Sequence, residues 1–261
     1  GVLAEGAPHM SDERAILEGL ISVEAALRSG SRPIERLLIA SGIIDRDVAR
    51  VVREAERIGI RVERVPAAEI DDLAQGKTHG GVIALAGARQ FVPLESLVAE
   101  VQNPFVVMLD GVEDPFNFGQ AVRAFYAAGA DGLVLRGRNW MSAAGVVARS
   151  SAGASELMPT AVAETTQAAA DFFRTQGLRI AVAAKERATP IYEADLSGAL
   201  FLVVGGEKRG ITRSFEDAAD VRLSIPYGRR YPHSLGTTAA AAVLAFEIMR
   251  QRAHQNPHDD Q

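Results

Sequence analysis

The sequence predicts an α/β protein with two units, of which the larger is a parallel sheet covered by helices. The predicted strands are short continuous apolar runs, such as FVVMLD and LFLVVG, which are typical of parallel strands buried on both faces. Helical patterns alternate with these strands, as they do in a doubly wound sheet. A stretch between Pro93 and Pro104 interrupts this alternation, so we expect the boundary between the two units there.

Composition narrows the class of protein. Of the 261 residues, 48% are hydrophobic and none is cysteine, which excludes disulfides and thiolate metal sites. No apolar run approaches the roughly 20 residues of a membrane-spanning helix, so we expect a soluble, cytoplasmic protein without a membrane partner. No Asp, Glu and His cluster has ligand spacing, and no metal site is expected. We expect residues 1–10 to be a vector-derived leader and residues 255–261 a disordered tail.

The first unit is predicted to span residues 11–88 and to mix strands with helices. The stretch ERAILEGLISVEAALRSG has helical spacing and ends at Gly30, a usual helix-ending residue. IERLLIA and IRVERVP read as strands on either side of the helical pattern DRDVARVVREAERIG, and GVIALAG reads as a third strand. Residues 89–104 are then expected to be a linker, and residues 105–254 to be the second unit.

Three predicted loops follow strands of the second unit and meet at the edge where ligands bind in open parallel sheets. The first loop, residues 110–117, leads into the helix NFGQAVRAFYAAGA, for which Asn117 is the expected N-cap. Arg123 lies off the apolar stripe of this helix and over the turn that contains Gly119. Because glycine has no side chain there, we expect the Arg123 guanidinium to reach the cleft.

The second loop begins with Gly205 and Gly206, closes with Gly210 and allows a ligand to approach the backbone closely. It matches neither GxGxxG nor GxxxxGK[ST], so a nucleotide-binding oxidoreductase becomes an unfavoured alternative. The third loop begins at Ile225 and leads into a terminal helix that Ser234 is expected to cap. This helix is apolar nearly all round, which predicts a core on one side and a second subunit on the other. One predicted face carries Leu235, Ala239, Ala242, Val243, Phe246 and Met249.

Together, the three loops resemble the SpoU, or TrmH, family of RNA ribose 2′-O-methyltransferases. Asn117, Gly119 and Arg123 fill the pattern of the first family motif. The second motif, Gly-x-Glu-x-x-Gly, is matched by Gly205, Glu207 and Gly210. The third motif pairs Ile-Pro at a strand end with Ser-Leu before the last helix, and it is matched by Ile225, Pro226, Ser234 and Leu235. The resemblance covers essentially residues 18–252.

The resemblance implies a fold, a cofactor and partners. The second unit would be a SPOUT-like domain with a deep trefoil knot, and the first a ribosomal-protein-like unit that binds RNA. The methyl donor would be S-adenosylmethionine, and the chain would form a homodimer through the knotted domain. The implied donor-binding residues are Gly205, Ile225 and Leu235, with Gly206, Pro226 and Ser234 beside them.

The implied catalytic residue is Arg123, with Asn117 and Glu207 more suited to orienting it. A guanidinium is a poor base, so we assign Arg123 to orienting the 2′-hydroxyl and stabilising alkoxide charge. Only RNA offers that hydroxyl, and length and layout favour ribosomal over transfer RNA. The net charge of −5 argues against a nucleic-acid partner, but local cations in the loops could bind phosphates. These cations are Lys208, Arg209, Arg229 and Arg230, for which ordinary solvated charge is the alternative interpretation.

The sequence departs from the family pattern at two places. Gly236 stands where the family usually has Asn after Ser-Leu, and the third loop is one residue longer than in the relatives compared. Both differences touch the predicted donor and acceptor pockets. A catalytically silent, RNA-binding protein of the same fold is therefore the main alternative hypothesis.

Overall fold

The computed structural model describes residues 14–137, 143–206 and 211–253. Two units are resolved within these ranges. The first comprises residues 14–90 and 143–145, and the second comprises the described residues from 91 onward except 143–145. The leader at 1–10, the tail at 255–261, and Glu207, Lys208, Arg209 and Gly210 lie outside the described residues.

The first unit contains a mixed four-stranded sheet among its described residues. Its strands lie in the order β1 (Ala15–Glu18), β4 (Val82–Ala86), β2 (Ile34–Ala40) and β3 (Arg61–Val65). Strand β4 is antiparallel to β1 and β2, while β2 and β3 are parallel. The helices are α1 (Leu20–Ser29), α2 (Arg46–Arg57) and α3 (Ala67–Leu73). The predicted strands IERLLIA, IRVERVP and GVIALAG are thus confirmed as β2, β3 and β4.

The prediction of one helix from residue 13 to Gly30 is wrong in its first half. Ala15–Glu18 forms strand β1, which pairs antiparallel with β4. Gly19 then turns the chain with a φ of +90°, and α1 ends at Gly30, which has a φ of +61° as a left-handed helix end requires. Four residues are too few to separate the period of a strand from that of a helix, which explains the error.

The second unit contains a parallel sheet, as predicted, and this sheet has seven strands among the described residues. Its strands lie in the order β7 (Thr160–Ala163), β6 (Gly132–Arg136), β5 (Phe105–Asp110), β10 (Leu200–Gly205), β8 (Arg179–Ala183), β11 (Val221–Ser224) and β9 (Thr189–Pro190). All neighbouring pairs are parallel. The helices are α4 (Pro115–Ala127), α5 (Ala144–Ser150), α6 (Ala154–Leu157), α7 (Thr166–Thr175), α8 (Arg213–Ala218) and α9 (Thr237–Ala253). The first two residues of α5 are assigned to the first unit and the rest to the second. The short elements α3, α8, β7 and β9 are absent from the sequence prediction.

Strand β5 shows how this sheet is covered on both faces. Val106 and Met108 pack into one cluster with Phe173 of α7 and Phe201 of β10, whose ring centroids are 4.7 Å apart. Phe105 points to the other face, where its ring lies edge-on to Phe125 of α4 at 6.1 Å. Alternate residues of one strand therefore meet helices on opposite faces, which confirms the α/β fold class.

The stretch 89–104, expected to be a linker, packs on the second sheet over part of its length. Leu94–Leu97 forms a short 3-10 helix, and Leu97 is 1% exposed in the core cluster of that sheet. The Val92 amide donates to the Thr160 carbonyl at 2.9 Å. Among the described residues of the chain, none forms a helix long and apolar enough to cross a bilayer.

Candidate active site at the carboxyl edge of the second sheet

The three loops leave the second sheet at one edge because their strands are parallel. Strands β5, β10 and β11 end at Asp110, Gly205 and Ser224, and Asp110 pairs in register with Gly205. We call this end of the sheet the carboxyl edge. The first two loops therefore start side by side, while β8 separates β10 from β11.

Helix α4 begins directly after the first loop. Its N-cap is Asp114, whose Oδ2 accepts from the Asn117 amide at 3.0 Å, and Pro115 stands at the first helical position. The prediction that Asn117 caps this helix is therefore wrong. Asn117 instead lies in the first turn of α4 with an exposed side chain that is available to other partners.

Arg123 lies about a turn and a half further along α4, on its exposed surface. Its side chain makes no hydrogen bond or ion pair with any residue of the described chain. Phe118, Val122 and Phe125 form the buried stripe of the helix, as predicted. The guanidinium is thus held on a well-packed helix while its five N–H donors remain available to a ligand.

Glycine is required at position 119 for a different reason from the one that the sequence suggested. It is buried, and a Cβ there would lie 1.8 Å from Ser150 Oγ and 2.8 Å from the Val147 carbonyl oxygen. Gly119 therefore lets α4 and α5 approach closely, and Gln120 Nε2 adds a bond to the Ser150 carbonyl at 3.2 Å. The glycine of the first motif serves helix packing rather than clearance for Arg123.

Gly206 brings the second loop against the first. A Cβ on Gly206 would lie 2.0 Å from the Gly111 carbonyl oxygen, and the Gly206 amide donates to the Asp110 carbonyl at 2.8 Å. Gly205 is less constrained, because its Cβ would lie 3.2 Å from Ile211 Cγ1. The backbone that approaches Gly206 is thus that of the first loop. The sequence analysis expected a ligand in this position instead.

The third loop meets the first at the start of α9. Helix α9 begins at Thr237, and the Gly236 carbonyl accepts from the Ala240 amide at 3.0 Å, so the prediction that Ser234 caps this helix is wrong. Thr238 Oγ1 lies 3.5 Å from Asn117 Oδ1. The third motif therefore joins the first through the N-terminal turns of α9 and α4.

The remaining predicted residues of the third loop face solvent. Ile225 is half-buried, whereas Pro226, Arg229, Arg230, Ser234 and Leu235 are exposed. Within α9, Ala241, Leu244, Ala245 and Ile248 are buried, while Phe246 and Met249 on the other side are exposed. The face predicted from spacing is therefore the outer face of the helix, and the inner face packs on α4.

The sequence analysis missed a polar cluster at the same edge. Asp110 is the last residue of β5, and its Oδ2 accepts from Thr166 Oγ1 at the start of α7. Its other carboxylate oxygen lies 3.7 Å from Arg136 Nη1, at the end of β6. An aspartate that ends an apolar strand was the signal available, since a carboxylate there must find donors as it leaves the core.

Two buried groups, Asp131 and Arg252, have shifted pKa values at the opposite end of the strands from the carboxyl edge. Burial raises the pKa of Asp131, and the Phe105 amide and Arg252 partly offset that effect. Burial likewise lowers the pKa of Arg252. Both residues lie beside the amino ends of β5 and β6, so these shifts concern packing of the fold rather than the carboxyl edge.

Comparison with known proteins defines the class of this molecule. Residues 104–246 match the profile of the SpoU rRNA Methylase family, and residues 16–92 match the profile described as RNA 2′-O ribose methyltransferase substrate binding. The class is that of RNA ribose methyltransferases with a separate substrate-binding unit. The chain belongs to the SpoU rRNA methylase family, which confirms the resemblance found in its three loops.

Several relatives extend over nearly the whole chain. The 23S rRNA (guanosine-2′-O-)-methyltransferase RlmB of Haemophilus ducreyi is 30% identical over 90% of this chain and 96% of its own. The RlmB of Shewanella oneidensis is 29% identical over 91% and 97% of the two chains. The crystal structure of an AdoMet-bound rRNA methyltransferase from Sinorhizobium meliloti is 25% identical, covers 91% of this chain and 87% of its own, and has a TM-score of 0.73.

Proposed function

We propose that this chain transfers a methyl group from S-adenosylmethionine to a ribose 2′-hydroxyl of ribosomal RNA. The observation that carries the proposal is the meeting of the three motif loops at the carboxyl edge. Gly206 of the second loop touches Gly111 of the first, and Thr238 beside the third loop reaches Asn117. Two relatives are named for a guanosine of 23S rRNA, which makes that RNA the first substrate to test.

The residues at this edge fit the proposed methyl donor. Leu235 is 44% exposed and Ile225 is half-buried, so apolar surface is available for a purine ring. Gly205 has no side chain that would keep a ligand from the backbone at the end of β10. We assign donor binding to these three residues, with Gly206, Pro226 and Ser234 shaping the loops around them. When bound, S-adenosylmethionine supplies the electrophilic methyl group on its sulfonium.

Arg123 performs the main chemical task of the protein. Its guanidinium donates hydrogen bonds to the 2′-oxygen of the substrate, orients it, and stabilises the negative charge that develops there. It does not accept the hydroxyl proton, because a guanidinium is already protonated at neutral pH. The proton therefore leaves to solvent as the oxygen attacks.

The other polar residues position the reacting groups. Asn117 stands between the starts of α4 and α9, where its amide oxygen lies 3.5 Å from Thr238 Oγ1, and so links the first loop to the third. Glu207 completes the second motif and is assigned the same positioning role. The exposed Arg229 and Arg230, with Lys208 and Arg209, are assigned to the RNA backbone. The first unit binds the structured part of the RNA.

The silent alternative depends on Gly236, which replaces the usual Asn. Gly236 has a φ of +86°, a region that glycine adopts freely and Asn tolerates better than most residues. The two residue types therefore meet the same backbone requirement at this position. This agreement supports an active enzyme over a silent RNA-binding protein.

We further propose that the chain acts as a homodimer in the cytoplasm and contains a trefoil knot. Phe246 and Met249 on the outer face of α9 are exposed, which supports a second subunit at that helix. After β11 the chain returns past β8 and β10 so that α9 packs on α4, and this path supports the knot. Sedimentation of the protein with and without Phe246→Glu tests the dimer.

The deciding experiment joins donor binding to product analysis. The purified chain is titrated calorimetrically with S-adenosylmethionine and then incubated with unmodified 23S rRNA transcribed in vitro. Mass spectrometry of the nucleosides should detect 2′-O-methylguanosine, with the added methyl on the ribose fragment. Absence of donor binding would favour the silent alternative, whereas donor binding without a methylated nucleoside would reject 23S rRNA as the substrate.

The Arg123→Ala variant tests the assigned catalytic residue. Loss of the charge-stabilising donor should lower kcat by about 10²-fold or more while donor binding stays unchanged. Arg174→Ala is the control, because Arg174 is a partly exposed arginine in the last turn of α7, at the other edge of the sheet. Normal transfer by Arg123→Ala would remove Arg123 from the mechanism.

A further inference from the structure

The third loop carries three aromatic rings, and the ring of Tyr231 contacts the other two. The ring centroids of Tyr227 and Tyr231 are 6.2 Å apart, and those of Tyr231 and His233 are 5.0 Å apart in an edge-on arrangement. The Tyr227 hydroxyl donates to the His233 carbonyl at 2.9 Å and so closes the loop on itself. The rings are therefore held in a fixed mutual arrangement before any ligand arrives.

These rings are not part of a core. Tyr231 is 55% exposed and Tyr227 is 38% exposed, and every residue from 226 to 235 is exposed. Aromatic side chains usually bury most of their large apolar surface. An exposed, preformed cluster of them indicates a surface on which a ligand with a flat apolar face can pack.

Two cations lie within the same loop. Arg229 and Arg230 stand between the two tyrosines in sequence, are exposed, and make no hydrogen bond or ion pair with another described residue. The whole chain has a formal net charge of −5, so this pair is a local exception. Unpaired cations beside aromatic rings are the combination that binds single-stranded nucleic acid, with rings on bases and cations on phosphates.

The position of the loop connects it to the proposed reaction. It follows β11 at the carboxyl edge and leads into α9, where Thr238 reaches Asn117 of the first motif. Leu235, assigned to the donor, follows His233 by two residues. We therefore expect a ligand on the rings to lie near the ribose that receives the methyl group.

We infer that Tyr227, Tyr231 and His233 form a stacking platform for an unpaired RNA base beside the methylated nucleotide, with Arg229 and Arg230 on the flanking phosphates. The inference rests on the proposed function and narrows its substrate to a single-stranded segment, such as a loop or bulge. A base inside a duplex is covered by its neighbours, whereas an unpaired base exposes a face to an aromatic side chain.

The test measures RNA binding, donor binding and turnover for matched variants. Tyr231→Ala should weaken binding of a 23S rRNA transcript, measured by filter binding, by about ten-fold, as expected for one stacked base. Tyr231→Phe should keep wild-type affinity, because the Tyr231 hydroxyl makes no hydrogen bond with another described residue. Tyr126→Ala is the control. Tyr126 is 39% exposed and lies near the end of α4, at the opposite end of the strands from the carboxyl edge.

Salt dependence separates the rings from the cations. Arg229→Ala should reduce the slope of log affinity against log salt by about one, because one phosphate contact is lost. Tyr231→Ala should lower the affinity at every salt concentration and leave that slope unchanged. Equal slopes for wild type and Arg229→Ala would contradict the assignment of Arg229 to a phosphate.

Three results would overturn the platform itself. Wild-type RNA affinity in Tyr231→Ala would show that no base stacks there. A loss confined to S-adenosylmethionine binding would assign the rings to the donor, and a change in sedimentation mass would assign them to a second copy of the chain. Failure of the proposed function is a separate result, because RNA binding that depends on Tyr231 without any methyl transfer by wild type would keep the platform and reject the enzyme.

Discussion

Two regions of the carboxyl edge differ in what constrains their residues. One is the contact between the first two loops, and the other is the exposed third loop. Where the first two loops meet, Gly206 lies so close to Gly111 that no side chain fits. The Asp110 backbone carbonyl also accepts a hydrogen bond from the Gly206 amide. In the third loop, a Cβ on Gly228 would meet nothing within 4 Å. Both regions belong to the carboxyl edge. In the first region, a glycine packs against the backbone of another loop, whereas Gly228 of the third loop has open space beside it.

This difference separates two kinds of motif residue. Gly119 and Gly206 shape the edge because other parts of the chain occupy the space beside them. Arg123, Arg229 and Tyr231 are exposed and have surface to offer a ligand. Substitutions in the first group should therefore act through folding, and substitutions in the second group through binding and turnover.

The largest expected effect is that of Gly206→Ala. The new Cβ would lie 2.0 Å from the Gly111 carbonyl oxygen and 2.5 Å from its carbon, and backbone atoms cannot rotate away. We expect a loss of about 3 kcal/mol in the free energy of unfolding, measured by urea denaturation. Gly198→Ala is the control, because a Cβ there meets nothing within 4 Å. Equal stabilities of the two variants would remove the contrast between the regions.

Gly119→Ala should have a smaller effect, near 2 kcal/mol, because its nearest neighbour is the Ser150 hydroxyl at 1.8 Å, which belongs to a movable side chain. Ser150→Ala in the same chain should restore part of the loss. The Val147 carbonyl at 2.8 Å remains in place, so the rescue should be incomplete. A double-mutant cycle of unfolding free energies measures this coupling, and strict additivity would contradict the proposed contact.

The sequence predicted the edge better than it predicted the contacts within it. Continuous apolar runs placed β5 and β10 correctly, because burial on both faces leaves a local signature. The role of Gly119 depends on Ser150, which lies 31 positions away and whose approach has no local signature. The N-cap of α4 failed for a different reason, because a local signal was present: Pro115 suits the first helical position, which makes Asp114 the cap.

Glu247 provides a pH test in α9, the helix that follows the third loop. This residue of α9 is buried, and Arg250 donates to its two carboxylate oxygens at 2.9 and 2.8 Å. The Arg250 hydrogen bonds lower the pKa of Glu247, with a further contribution from Gln251. The lowered pKa means that the carboxylate stabilises the fold above its unfolded pKa of about 4.3 and that this stabilisation is lost as pH falls through the folded pKa.

Glu247→Gln should therefore cost about 1 kcal/mol at pH 7, a modest value because Arg250 is 55% exposed. Thermal melting of both proteins from pH 7 to pH 3 should show the difference shrinking as the wild-type carboxylate is protonated. A difference that stays constant down to pH 3 would mean that the amide fails for reasons of packing rather than charge.

The smallest expected effect lies at the junction of the third loop with α9. Gly236 has a φ of +86°, where Asn is tolerated and a β-branched residue is strained. Gly236→Asn should change stability by only a few tenths of a kcal/mol, whereas Gly236→Val should cost about 1 to 2 kcal/mol. Melting temperatures of the two variants provide the measurement, with the wild type as reference. Equal losses in both would mean that space rather than backbone conformation selects glycine here, and the third loop would then share the packing constraint of the first two.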